Sequence, residues 1–170
     1  MSELDLALPP LHGSADVLHA VCAGLAQVAA RLDDTFVARE GREGWGLARA
    51  WAGPAFEAAR SEAAVTATTI ERVARGLEPA AAAVDTYAAA LADARRRVLA
   101  LREEWERGRQ EHRRARAEAV SLAEDPVLGV LSSLARLRAA DLEWQRLRSE
   151  LRGRHTGVAE RLTASGDQAA

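Results

Sequence analysis

FEAARSEAAVTATTIERVARGLEPAAAAVDTYAAALADARRRVLALREEW, residues 56–105, is the stretch that decides the fold. Within it Phe56, Ala63, Ile70, Leu77, Val84, Leu91, Val98 and Trp105 recur at intervals of seven. Ala59, Thr66, Val73, Ala80, Tyr87, Ala94 and Leu101 fill the second core position of each heptad. None of these 15 positions is charged, although 28% of the chain is, so chance is a poor explanation. A strict seven-residue repeat keeps one helix face turned to a partner in a left-handed crossing. The pattern predicts one long helix over 54–122, with the seam weakening through Gly108, His112, Ala115, Ala119 and Leu122. Pro79 falls off the seam and the register passes through it unchanged, which predicts a kink near 79 rather than a chain reversal. A full break there, giving a compact four-helix bundle, is the alternative architecture.

Before this helix, residues 1–13 hold Pro9, Pro10 and Gly13 and read as a flexible leader. Ser14 is a candidate N-cap, with Asp16 placed to favour the positive end of a helix dipole. A helix over 14–39 follows, with a stripe of Val21, Leu25, Val28 and Leu32 widened by Leu18, Cys22, Ala29 and Phe36. Gly41, Gly44 and Gly46 mark a loop. Gly53 permits a backbone angle denied to other residues, and Pro54 suits a first helical turn. After the long helix, Glu124-Asp125-Pro126 closes it and opens a helix over 127–163. Val127, Val130, Leu134, Leu137, Ala140, Trp144, Leu147 and Leu151 share one face of that helix, and 164–170 reads as a disordered tail. The expected fold is all-α: an elongated antiparallel helical bundle, a hairpin plus an additional C-terminal long helix, forming one domain over 14–163.

Composition narrows the function. Hydrophobic residues are 48% of the 170 but aromatics only 4%, so Ala, Leu and Val supply the core, and all three long segments favour helix. A net charge of −2 argues against a dedicated nucleic-acid surface. All 23 basic residues are Arg, which reads as the codon bias of a GC-rich genome. Residues 95–118 hold nine Arg against five Glu, with Glu103–Arg107 and Arg107–Glu111 at i,i+4, the lacing of a solvated face. Cys22 stands alone among apolar neighbours and reads as a small buried hydrophobe. His12, His19, His112 and His155 are scattered without metal-ligand spacing, and no phosphate loop follows a strand. No enzyme, cofactor, metal, nucleic acid or small-molecule substrate is expected. The start of the chain lacks the basic and apolar regions of a Sec signal peptide, and no apolar run approaches the ~20 residues of a membrane span.

Trp51-Ala52-Gly53 lies between an amphipathic helix and a long heptad helix, where a bulky aromatic covers helix ends and Gly lets the chain reverse. Here the chain resembles the WxG superfamily of type VII secretion substrates. Trp51-Ala52-Gly53-Pro54-Ala55-Phe56 is similar to the family's turn, and the Ala-rich run 84–91 looks like the following helix of longer actinobacterial members. In such members a domain of this size is often the N-terminal targeting module of an effector or toxin. The resemblance covers approximately residues 13–118. It implies a helical dimer with a small WxG-type hairpin partner, recognition by the secretion machinery, and a cytoplasmic stage before export to the cell surface or beyond. The family's Tyr-x-x-x-Asp/Glu signal is missing, since Tyr87 is followed at the fourth position by Leu91. The hairpin-turn residues are then Trp51, Gly53 and Pro54. The partner-binding seam is Phe56, Ile70, Val73, Leu77, Val84, Tyr87, Leu91, Val98, Leu101 and Trp105. The alternative is a cytosolic coiled-coil scaffold or homodimer with Trp51 as a packed turn residue. A weaker one is a nucleic-acid binder using the Arg95–Arg116 face.

Overall fold

The computed structural model describes residues 3–42, 53–122 and 129–169, and the side chains of 33, 35–42 and 169 are not described. The protein is all-α. Among the described residues there are four helices and no strand: α1 (Glu3–Ala7), α2 (Ala15–Arg42), α3 (Pro54–Leu122) and α4 (Gly129–Ala169). Pro79 lies inside α3, which continues on both sides of it. Two departures from expectation sit at the ends of the chain. The leader carries α1, and the tail beyond 163 is the last part of α4.

The chain divides into two compact units, one made of Met1–Gly13 with Ala90–Ser165, the other of Ser14–Ala89 with Gly166–Ala170. We call them the leader unit and the hairpin unit. Both α3 and α4 contribute to each.

In the hairpin unit α2 runs antiparallel to the first half of α3. The Cys22 thiol donates to the Ala81 carbonyl at 3.2 Å, and His19 lies 3.6 Å from Asp85. The centre is lined with alanine: Ala29, Ala81 and Ala88 are buried, with Leu18, Cys22, Leu25 and Leu32 half-buried beside them. These α2 residues step by four, three, four and three. Val21 and Val28, expected on the same stripe, are instead about half exposed at 47% and 49%.

The face of α3 in this unit also differs in detail. Phe56, Ala63, Ile70, Leu77 and Val84 are half-buried, as one core column. The second column is Ala67, Ala74, Ala81 and Ala88, one residue later than the expected Thr66, Val73, Ala80 and Tyr87. A step of four rather than three places the second column about 100° further round the helix, on the other side of the first column, so the neighbour sits over the alanines. Thr66 is exposed, and its hydroxyl donates to the Glu62 carbonyl at 3.0 Å. Thr68, Thr69 and Thr86 make the same bond one turn back.

In the leader unit α4 runs antiparallel to the second half of α3: Val98 packs with Val158, Glu104 pairs with Arg154, and His112 pairs with Asp141. Here the expected columns hold side chains that are buried, namely Leu91, Ala94, Val98, Leu101 and Trp105, followed by Gly108. Gly108 lets α4 approach: a methyl group on it would run into Leu147 and Trp144.

Candidate functional site

The hairpin-turn motif is described only in part. Trp51 lies outside the described residues. Gly53 has φ +123°, in the region that favours glycine, and its carbonyl accepts from the Phe56 and Glu57 amides at 3.0 and 3.2 Å. Pro54 is the first residue of α3, where its missing N–H leaves no bond unmade.

The ten residues of the expected seam divide between the two units. Phe56, Ile70, Leu77, Val84 and Tyr87 are half-buried in the hairpin unit, and Val73 is exposed. The Tyr87 ring lies against Gly166 of α4. Leu91, Val98, Leu101 and Trp105 are at most 3% exposed. Their covering is the chain's own: α4 on one side and the leader on the other. In this chain that half of the seam is already covered.

The leader, expected to be flexible, supplies a main part of this packing. Glu3 and Asp5 stand in the first turn of α1, where acidic groups favour a helix, and Pro9-Pro10 end it. Leu8 is fully buried among Leu101, Trp105 and Leu151, with Leu4 and Ala7 alongside. Burying one leucine in this way contributes about 1.5–3 kcal/mol. Leu11 packs on Ala94, Val98 and Val158. Polar groups hold the backbone in register. Arg102 donates to the Leu8 carbonyl and to Asp5, both at 2.8 Å, and Arg95 donates to the Gly13 carbonyl at 2.7 Å. His155 Nε2 lies 2.9 Å from the Pro9 carbonyl, and since a carbonyl only accepts, that nitrogen carries the proton. Arg148 pairs with Glu3 at 2.9 Å.

Further along the same unit His112 Nε2 donates to Asp141 at 2.8 Å, with Arg116 on the same oxygen at 3.4 Å. The hydrogen bond from His112 holds the Asp141 carboxyl below the usual carboxylate range, opposed by burial and aided by the Arg116 charge. The imidazole stacks on Trp144 at 5.7 Å, and Trp144 meets Trp105 edge-on at 5.0 Å. The Arg148 guanidinium lies 5.4 Å from the Trp105 ring centre. The Trp105 indole N–H and the Arg109 Nε are buried without acceptors. His112, Trp144, Gly108 and Leu147 line a cavity of about 150 Å³, and among the described residues no three His, Cys, Asp or Glu gather as metal ligands.

The arginine-rich stretch is tied into the fold. Arg102 reaches the leader, Glu104 pairs with Arg154 at 2.9 Å, and Arg109 with Glu106 at 2.7 Å. A groove of about 450 Å³ over Leu101 and Val158 is rimmed by Arg97, Arg154 and Arg161. Arg97 pairs with Asp93 at 2.7 Å and Arg154 with Glu104 at 2.9 Å.

Among the described residues one open apolar surface lies on α2, and another, of Val130, Leu131 and Leu134, lies at the start of α4. Val17, Val21 and Val28 are 61%, 47% and 49% exposed, and with Gly24 they step by four, three and four along one side. That stripe runs beside the one facing α3, one residue or about 100° around the helix. Val65 and Val73 are likewise exposed on α3 of the same unit. The window Ala15–Leu32 has mean hydropathy 1.2 with Asp16 and Arg31 its only charges, and 6% of it is buried. By length and composition alone it is long and apolar enough to cross a membrane.

The sequence signals for the leader were present but short: Leu4, Leu8 and Leu11 have helical spacing ahead of Pro9-Pro10 and beside them. No family model matches the chain, and neither a curated protein nor a solved structure matches it.

Proposed function

We propose that this protein is a helical adaptor that acts by helix–helix association, with the open side of α2 as its docking face. One observation carries the reading. α2 has two neighbouring apolar stripes with coiled-coil spacing; its own hairpin covers Leu18, Cys22, Leu25, Ala29 and Leu32, and leaves Val17, Val21, Gly24 and Val28 uncovered. A helix with two such stripes fits a bundle of at least three members. Half-exposed valines that become covered contribute roughly 1 kcal/mol each, enough to favour a specific helical partner and too little to hold one without complementary contacts.

The partner we propose is a small helical hairpin or a second copy of the chain, forming an elongated antiparallel bundle. The Trp51-x-Gly53 turn ahead of a long heptad helix supports a place in type VII secretion, as a targeting module that is cytoplasmic before export and afterwards secreted or on the cell surface. In this reading the chain is not an enzyme. The docking face moves from the α3 seam named by the heptads to α2, because the chain buries the second half of that seam itself.

The test is association and export together. Val17→Gln, Val21→Gln and Val28→Gln combined should abolish binding to a co-produced small hairpin protein and reduce export from a host with a type VII system, while helix content stays unchanged. Trp51→Ala should reduce export also. A stable monomer that is exported by no such host would overturn the secretion role. A membrane-embedded α2 predicts instead that the wild-type chain fractionates with membranes and that the triple variant does not.

A further inference from the structure

The leader is recognised as a ligand is recognised. Its backbone is read by three donors of the groove between α3 and α4: Arg102 on the Leu8 carbonyl, His155 on the Pro9 carbonyl and Arg95 on the Gly13 carbonyl. Pro9 and Pro10 have no N–H, so this stretch offers the groove acceptors only, and arginine and a protonated imidazole nitrogen offer donors only. Side chains supply selectivity. Leu8 fills a socket of Leu101, Trp105 and Leu151, and the acidic groups of the first turn face Arg102 and Arg148. All the contacts named here come from eleven residues, 3–13.

The covalent layout makes this element exchangeable. All the leader's partners named above belong to the leader unit, yet the chain leaves that unit at Gly13 and enters the hairpin unit at Ser14. One junction therefore joins the leader to the remainder of the chain, and Gly13 there has φ +102°, a conformation that only glycine adopts without strain. A leader from another molecule meets the same side chains in the same groove. Contacts being equal, protein concentration and the conformation at Gly13 decide between the two arrangements.

We infer that the α3–α4 groove is a segment-recognition site that takes the leader of a second copy of this chain, so that two chains associate by exchanging leaders. This association is independent of the α2 face, and the experiment keeps the two apart.

All chains in the test carry Val21→Gln and Val28→Gln, which removes the α2 stripe. One full-length chain also carries Leu8→Asp, which empties its groove. The other also carries Arg102→Glu, which spoils its groove but leaves its leader intact. Native mass spectrometry of each chain alone should show monomers, and an equimolar mixture should show a heterodimer. Adding Asp5→Arg to the Arg102→Glu chain re-forms an ion pair in its own groove, and should reduce the heterodimer at least tenfold. A synthetic peptide of residues 3–13 should displace the leader and dissolve the heterodimer. If Leu8→Asp unfolds the chain, Glu3→Arg with Asp5→Arg, both at partly exposed positions, empties the groove instead. Helical, folded chains that form no heterodimer overturn the inference. So does a heterodimer that survives both the charge swap and the peptide.

Discussion

Gly108→Ala tests the packing of the leader unit through the sign of its effect. Gly108 is buried inside α3, and a methyl group there would collide with Leu147 Cδ2 and come within 3.2 Å of Trp144 Cζ3. Gly153, in α4 of the same unit, has nothing within 4 Å of such a methyl group. Replacing a mid-helix glycine by alanine gains about 0.8–1 kcal/mol of helix propensity. At Gly153 nothing opposes that gain, so Gly153→Ala should stabilise by about 1 kcal/mol. At Gly108 the far end of Leu147 must leave its rotamer and Trp144 must shift, an overpacking cost of about 1–3 kcal/mol. Taking the middle of that range, Gly108→Ala should lose about 1 kcal/mol net. The two variants should therefore differ by about 2 kcal/mol, with opposite signs. Urea unfolding followed by circular dichroism and by tryptophan fluorescence measures this as shifts in midpoint at unchanged slope. Equal stabilisation by both substitutions would refute the reasoning, because α4 would then not approach α3 at Gly108.

Three further outcomes follow from the same contacts. Trp105→Ala removes a side chain that is fully buried under the leader and should cost about 3–5 kcal/mol, read by urea unfolding of the leader unit. Gly53→Ala forces alanine to φ +123° with no steric neighbour, so a loss of about 1–2 kcal/mol, measured in the same way, would come from the backbone alone. Asp141 has a folded pKa below its unfolded value, because of the His112 hydrogen bond first and the Arg116 charge second. Its contribution is therefore present above the unfolded pKa of about 3.9 and is lost as pH falls through the lower folded value. Between neutral pH and strongly acid pH the wild type should lose more stability than Asp141→Asn, with the divergence confined to the acid side of that value.

The all-α fold was legible in residues 56–105 because seven-residue spacing survives any detail of packing. Which second column is buried was legible only where one of the two candidates is charged. Ala94 and Leu101 stand out from Arg95 and Arg102, their neighbours at the next step. In the first half the choices are Thr66 or Ala67, Val73 or Ala74, Ala80 or Ala81, and Tyr87 or Ala88. Size and polarity favour Val73 and Tyr87 for burial, but the close α2 neighbour favours alanine at the point of contact. The same closeness explains why Val21 and Val28 face outward while Cys22 and Ala29 face in.

The leader was missed for a different reason. Pro9, Pro10 and Gly13 are loop signals by local rules, and α1 is only five residues long, too short for periodicity to register. Its order comes from Arg102, Arg95 and His155, which lie more than eighty residues away in sequence. No local pattern encodes such a contact. The helical tail is similar: Gly166 reads as a terminator, but it lies against the Tyr87 ring and α4 continues through it.

The central claim is that α2 associates through its uncovered stripe. Sedimentation velocity of the otherwise wild-type chain and of the Val17→Gln, Val21→Gln, Val28→Gln variant, both carrying Glu3→Arg and Asp5→Arg so that leaders are not exchanged, each alone and with a co-produced small helical hairpin protein, tests it most directly. The account predicts a complex for the wild type, with itself or with the hairpin protein, and its loss in the variant at unchanged helix content. Association that is equally strong in the variant, or a wild type that stays monomeric under every condition, would contradict it.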